Sequence, residues 1–248
     1  MIQSRHIILA CILSLPLTLL SCSIFGPDGG GINDPLKRGL ISHYPLNGNA
    51  RDAAGGHDGE LFGTTPAEDR FGIEGKALAF DGTDDFVLVA ESEDFNFDLR
   101  EDSYTISLWA QSDDVEHWAR LVVKWDELTP TPYPFAIQKV GGEVWGTFFD
   151  TQGKPTVEME DAWDGGWHHI VVAYDAESDR LAGYLDGKLV AERVDAPRQN
   201  TQNNTPVYIG RAASPVENRY FNGSMDDLRF YERALTEREV RALFDAED

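Results

Sequence analysis

From Gly39 to its end the chain is a succession of short strand-like runs broken by turn signals, and helical periodicity appears only once. Alternation with period two sends successive side chains to opposite faces of a sheet. Tyr104–Ala110 and Leu121–Trp125 alternate in this way, and Gly39–Leu46 puts Leu40, Tyr44 and Leu46 on one face. Lys76–Phe80 and Asp85–Ala90 flank the turn Asp81-Gly82-Thr83-Asp84. Further strands are expected at Phe135–Val140, Val144–Phe149, Trp167–Tyr174, Leu181–Leu185, Leu189–Arg193, Val207–Gly210 and Met225–Tyr231. Asp186-Gly187 between two apolar runs suits a two-residue hairpin turn, where both central residues need positive φ. The one helix is expected after Thr236, where Thr236 and Glu239 form a capping box ahead of Val240, Leu243 and Phe244. Many strands, one small helix and no alternation of strands with helices predict an all-β protein of two antiparallel sheets packed face to face, with a closed barrel as the alternative.

The amino end has a different character. Arg5 and His6 precede an almost continuous apolar run from Ile7 to Leu20. Roughly 20 apolar residues are needed to cross a bilayer, so the run reads as a secretory signal peptide over residues 1–21. Leu19-Leu20-Ser21-Cys22 resembles the bacterial lipobox. The resemblance implies cleavage before Cys22, lipid on its thiol, and a cell-envelope location reached through the anchor alone. Ser23, rather than Asp, points by the same analogy to the outer membrane of a host with two membranes. Cys11 lies inside the apolar run, so a processed chain has no second thiol for an internal disulfide. Residues 22–37, with Gly29-Gly30-Gly31 and two prolines, are expected as a flexible tether and residues 38–248 as the folded domain.

Charge excludes one class of partner. With 43 acidic against 21 basic residues the net charge is −22, so nucleic acid or an anionic membrane face is not bound by bulk attraction. The roughly 210 residues after the tether could form two small domains or one sandwich, since all-β folds of this length are commonly single. An aromatic content of 11% supplies a sizeable core.

Five segments occur in one order along the chain. They are Gly39–Asp52 (containing Tyr44-Pro45-Leu46-Asn47-Gly48), Gly75–Val87 (containing Phe80-Asp81-Gly82), Tyr104–Trp109, Trp167–Val172 and Phe221–Thr236 (containing Met225-Asp226-Asp227-Leu228-Arg229). Together they resemble the laminin-G-like jelly-roll domains of the concanavalin-A-like superfamily. The resemblance implies a two-sheet antiparallel jelly-roll sandwich with one short C-terminal helix; it specifies a fold far better than a function. It also implies a structural Ca²⁺ held by loop carboxylates and carbonyls, which suit a hard ion needing 6–8 oxygens. The matching positions are Asp52, Asp226, Asn49 and Asp81, which could equally hold turn N–H groups.

An enzyme is disfavoured. Glucanases of related fold need two carboxyls about 5–5.5 Å apart. Glu158-Met159-Glu160-Asp161 and Glu91-Ser92-Glu93-Asp94 do not complete their alternating motif. His168 and His169 are adjacent on a strand, point to opposite faces and cannot chelate together. Sugars bind flat aromatic faces flanked by planar polar groups. Trp118, Trp125 and Tyr133, in or beside loops, are the ligand-facing candidates, and Arg211 and Arg219 could add polar contacts. The expectation is a surface-tethered, non-catalytic module for a glycan or cell-surface polymer. A protein-interaction or scaffold role is the first alternative and a glycan-cleaving enzyme the second.

Overall fold

A computed structural model describes residues 34–125, 132–149, 154–213 and 219–246. The chain divides into Met1–Asp34 and Pro35–Asp248, and every strand and helix below belongs to the second unit. The expected signal peptide and Cys22 lie outside the described residues. Among the described residues no helix is long and apolar enough to cross a membrane.

In chain order the first strands are β1 (Leu40–Tyr44), β2 (Gly59–Phe62), β3 (Thr65–Ala67), β4 (Ala77–Asp81) and β5 (Phe86–Val89). After a 3-10 turn at Glu93–Phe95 come β6 (Tyr104–Gln111), β7 (Ala119–Val123), β8 (Tyr133–Val140), β9 (Glu143–Phe149) and β10 (Thr156–Met159). The last are β11 (Trp167–Asp175), β12 (Arg180–Leu185), β13 (Lys188–Arg193), β14 (Val207–Ile209) and β15 (Asn222–Tyr231), followed by α1 (Glu237–Phe244). They form two antiparallel sheets. One has eight strands in the order β13-β12-β11-β6-β15-β4-β3, with β1 on β15; the other has seven, ordered β10-β9-β8-β7-β14-β5-β2. The architecture is the jelly-roll sandwich expected from the sequence.

Inward side chains of both sheets make one core, with Tyr44, Phe95, Tyr104, Phe135, Phe148 and Phe230 fully buried. Phe230 lies edge-on to Tyr44 (87°) and to Phe95 (70°), the geometry that ring quadrupoles favour. Gly146 of β9 sets the closeness of the two sheets. A Cβ there would lie 2.5 Å from Cγ2 of Val172 on the facing β11, a distance only glycine allows.

A second cluster, including Val171, Tyr184, Tyr231, Val240 and Leu243, seats α1 against the eight-stranded sheet. The helix starts with the expected capping box: Thr236 accepts from Glu239 N–H, and Glu239 accepts from Thr236 N–H at 2.9 Å. Asp186 and Gly187 have φ of 51° and 72°, as the hairpin turn requires. Three strands were not anticipated: β2, β3 and β10 are only three or four residues long. In β10, Val157 and Met159 are buried while Glu158 is exposed, so a run read for its carboxylates is an edge strand. Pro35–Lys37, expected in the tether, sit in a turn here, and the Pro35 carbonyl accepts from Arg233 Nη2 at 2.8 Å.

Candidate ligand-binding face

The outer face of the seven-stranded sheet gathers aromatic rings and guanidinium groups. Register places Trp145 of β9 opposite Gln138 of β8, and Gln138 opposite Arg120 of β7. These three side chains therefore form a row across neighbouring strands, about 4.8 Å apart per strand. A second row runs from Ala136 through Val123 and Tyr208 to Leu88. At the far end Phe86 pairs with Phe62, and their rings stack at 4.3 Å and 4°. From β9 to β2 the face spans roughly 24 Å.

Polar groups are interleaved with these rings. Arg120, 1% exposed, donates from Nη1 to Gln138 Oε1 at 2.5 Å. Gln138 is 2% exposed, and its Nε2 has no hydrogen-bond partner among the described residues. Arg120 also sits over the Trp125 ring at 5.3 Å, and Trp125 stacks on Tyr133 at 4.7 Å. At the rim, Trp118 is 49% exposed, with Trp145 at 6.3 Å and the Arg219 guanidinium over its ring at 5.4 Å. The loop that presents Trp118 is held by Asp114, which accepts from the N–H groups of Glu116 and His117. Burial works to raise the Asp114 carboxyl, but His117, these N–H bonds and nearby Lys139 bring it down to about 2. The middle of this face is closed, since Arg120, Gln138, Val123 and Ala136 are each 2% exposed or less. A sugar ring would therefore stack at its rim, where Trp118 is exposed and Trp145, Tyr208 and Phe86 are half-buried, with the Arg219 guanidinium beside Trp118.

Trp118 and Trp125 thus lie on one face, as exposed rim and half-buried floor. Tyr133 needs correction: it is 1% exposed, packed beneath Trp125, and cannot offer a ring face to a ligand. The metal positions also change. Asp226, 1% exposed, accepts from Arg70 Nη1 at 2.5 Å, so an organic cation occupies the place proposed for Ca²⁺. Neighbouring Asp227 receives His43 Nε2 at 2.7 Å and Arg229 Nε at 3.0 Å. Asp52 accepts from the N–H groups of His43, Ala54 and His57, and Asn49 from that of Arg51, which makes both turn-holders.

Among the described residues, Asp81 is the one of the four that belongs to a group of three carboxylates: Asp81, Asp84 and Asp85 each offer an oxygen within 4.8 Å of the others. Asp85 is raised, first by burial and also by the charges of Asp81 and Asp84. Three oxygens are part of the 6–8 that Ca²⁺ requires, and Asp81 Oδ1 already accepts two backbone N–H groups.

The histidines behave as their spacing implied. His169 is 1% exposed beside Trp109, and burial brings it down to about 4, whereas His168 pairs with Asp164 and Asp186. Ser42, His57 and Asp94 form a chain of contacts at 3.0 and 2.9 Å that has the order of a hydrolytic triad. Ser42 is fully buried, so its hydroxyl cannot reach a substrate. Sequence reasoning overlooked Arg120, Gln138, Phe62, Phe86 and Tyr208. The one visible signal was a charge inside the apolar run Ala119-Arg120-Leu121-Val122-Val123.

Two antiparallel sheets in this strand order define a concanavalin-A-like jelly roll. The chain belongs to the Laminin_G_3 family of the concanavalin A-like lectin/glucanases superfamily, whose model matches residues 81–241. No curated protein sequence matches it. Among solved structures it is similar to the binding domain of Paraclostridial Mosquitocidal Protein 1 (TM-score 0.69, 19% identity, 85% of this chain and 52% of that one). It is also similar to the binding domain of botulinum neurotoxin serotype D (TM-score 0.66, 10% identity, 84% and 51%). A third is domain 4 of the GH43 extracellular arabinanase AbnA of Geobacillus stearothermophilus, solved with arabinotriose (TM-score 0.62, 20% identity, 83% and 98%). The chain spans about half the length of the toxin binding domains and nearly all of the arabinanase domain.

Proposed function

We propose that this chain is a non-catalytic glycan-binding module whose ligand lies on the aromatic rim of the outer face of the seven-stranded sheet. The observation that carries the reading is the set of exposed and half-buried rings on one sheet face, Trp118, Trp145, Trp125, Tyr208 and Phe86, with the Arg219 guanidinium over Trp118 and the buried Arg120–Gln138 pair beneath. Structures of the same fold support it: the arabinanase domain was solved with arabinotriose and one botulinum binding domain with SialylT. A glycan array probed with the full chain tests the reading. Reproducible binding to a related set of glycans is expected, and silence across a broad array would reject it.

The location follows the same reading. Cys22 carries lipid and holds the domain on the cell envelope, so Cys22→Ser yields unlipidated, released protein; unchanged membrane retention would rule this out. A structural Ca²⁺ belongs at Asp81, Asp84 and Asp85, where a cation would offset both the burial that chiefly raises Asp85 and the charges of Asp81 and Asp84 that add to it. Added Ca²⁺ then raises the melting temperature and EDTA reverses it, while a melt indifferent to both removes the metal. A protein partner is the second reading. It is favoured by Phe71 (50% exposed) and Ile73 (52%), beside a cavity of about 300 Å³ lined by Phe71, Trp109, Trp167 and Phe244.

A further inference from the structure

Carboxylates outnumber cations two to one, and the guanidinium groups of Arg70, Arg180, Arg198, Arg229, Arg233 and Arg241 each have a carboxylate partner. Arg211 does not. It follows β14 and is half-buried at the end of the face formed by Phe62, Phe86 and Tyr208. Its Nε donates to the Ala212 carbonyl at 2.7 Å and its Nη2 to the Ala213 carbonyl at 2.9 Å. These bonds fix the plane of the fork without neutralising it, and Nη1 has no acceptor among the described residues. The guanidinium carbon lies 4.3 Å from the Phe86 ring centre, 5.0 Å from that of Tyr208 and 5.9 Å from that of Tyr220.

Aromatic rings hold a cation without supplying an anion. Three rings and, among the described residues, no carboxylate surround the Arg211 guanidinium, which leaves its charge for a ligand. Phe62 stacks face to face on Phe86 at 4.3 Å, within 4° of parallel, and Arg211 lies over the Phe86 ring, so the half-buried pair presents ring edges and the outer side of Phe62 next to the fork.

We infer that the Arg211 end of the face is a subsite for an acidic sugar residue, with its carboxylate on the guanidinium and its ring beside the outer edge of the Phe62–Phe86 pair. This rests on the glycan-binding reading and narrows it to carboxylated glycans. A charged hydrogen bond in a partly desolvated setting contributes about tenfold to a hundredfold in affinity.

The test is a titration of the full chain with three probes: an oligogalacturonate, its methyl ester and its sulfated neutral counterpart. The free acid should bind at least about tenfold more tightly than the ester. Arg211→Gln should bring acid binding down to about the level of the ester, removing the preference, and Arg211→Lys should restore part of it. Trp118→Ala should weaken acid and ester alike. The acid–ester comparison is made on the wild-type protein and stands even if a variant fails to fold. Equal binding of acid and ester overturns the acidic subsite while leaving glycan binding intact. Preference for the sulfated probe alone overturns the carboxylate assignment. Binding of none of the probes, together with a silent glycan array, overturns the subsite and the glycan reading on which it rests.

Discussion

Replacing Asp226 by alanine separates an ion pair from a metal site in one experiment. Asp226 and Arg70 have side chains 1% and 3% exposed and are 2.5 Å apart. Removing one partner of such a pair strands the other, at a cost of about 3–5 kcal/mol. Two features moderate the loss. Asp227 Oδ2 lies 4.0 Å from Arg70 Nη2, and Phe71 and Trp109 keep their rings 4.6 and 4.9 Å from the guanidinium. Burial works to raise Asp227, yet His43, Arg229 and Arg70 hold it below the usual carboxylate range, so it stays charged to compensate. The expected cost is therefore near the lower end, about 3 kcal/mol. For a domain of this size that lowers Tm by roughly 6–12 °C. The assay is thermal unfolding of Asp226→Ala with Ca²⁺ and with EDTA. The ion-pair account predicts the same drop in both, and recovery of most of it in Arg70→Met/Asp226→Leu. A fall under about 2 °C, or one confined to the Ca²⁺ condition, would refute the reasoning.

Two further predictions concern pH. Glu239 is raised by burial but brought down to about 2 by Arg233 and the Thr236 cap, so its contribution is present above pH 4.5 and fades as pH falls towards 2. Glu239→Gln keeps a capping-box side chain and loses the charge; it should cost about 1 kcal/mol at pH 7 and progressively less below pH 4.5, read from paired melts. A gap that does not shrink on acidification would sink this. Burial brings Lys124 down to about 8 from 10.5, and its ammonium donates to the Thr205 carbonyl at 2.6 Å. The unfolded chain binds the extra proton between these values, so wild type should gain on Lys124→Met as pH rises from 8 to 10.5. A difference flat across that range would contradict the assignment. Gly146→Ala should lower Tm by roughly 2–12 °C through overpacking against Val172, with an unchanged melt as the contrary result.

Long alternating runs were legible because period-two patterning and burial say the same thing. Tyr104–Gln111 and Trp167–Asp175 are central strands, and the Asp186-Gly187 turn and the Thr236–Glu239 cap are set by neighbouring residues alone. Strands of three or four residues such as Thr65–Ala67 carry too little pattern to stand out, and only their partners fix them. The site was harder for a related reason. Asp226-Asp227 in sequence resembles a hard-ion ligand set, while the arginine that answers it lies 156 residues away. Tyr133 between two prolines suggested a loop, but it begins β8 and is buried under Trp125. The exposed position of Trp118 was legible because its segment, Val115-Glu116-His117-Trp118, has no strand pattern to absorb it. Arg120 and Gln138 meet only through register, which no local window contains.

The most direct test of the central claim is to measure the affinity of the best array ligand for three proteins side by side: wild type, Trp118→Ala and Phe71→Ala. Both side chains are about half exposed, so neither change should disturb the fold. A ligand on the outer face of the seven-stranded sheet predicts at least about tenfold weaker binding for Trp118→Ala, the effect of losing a stacked ring, and no change for Phe71→Ala. Unchanged binding by Trp118→Ala, with loss on Phe71→Ala, would contradict the account and move the site to the cavity beside Trp109 and Trp167.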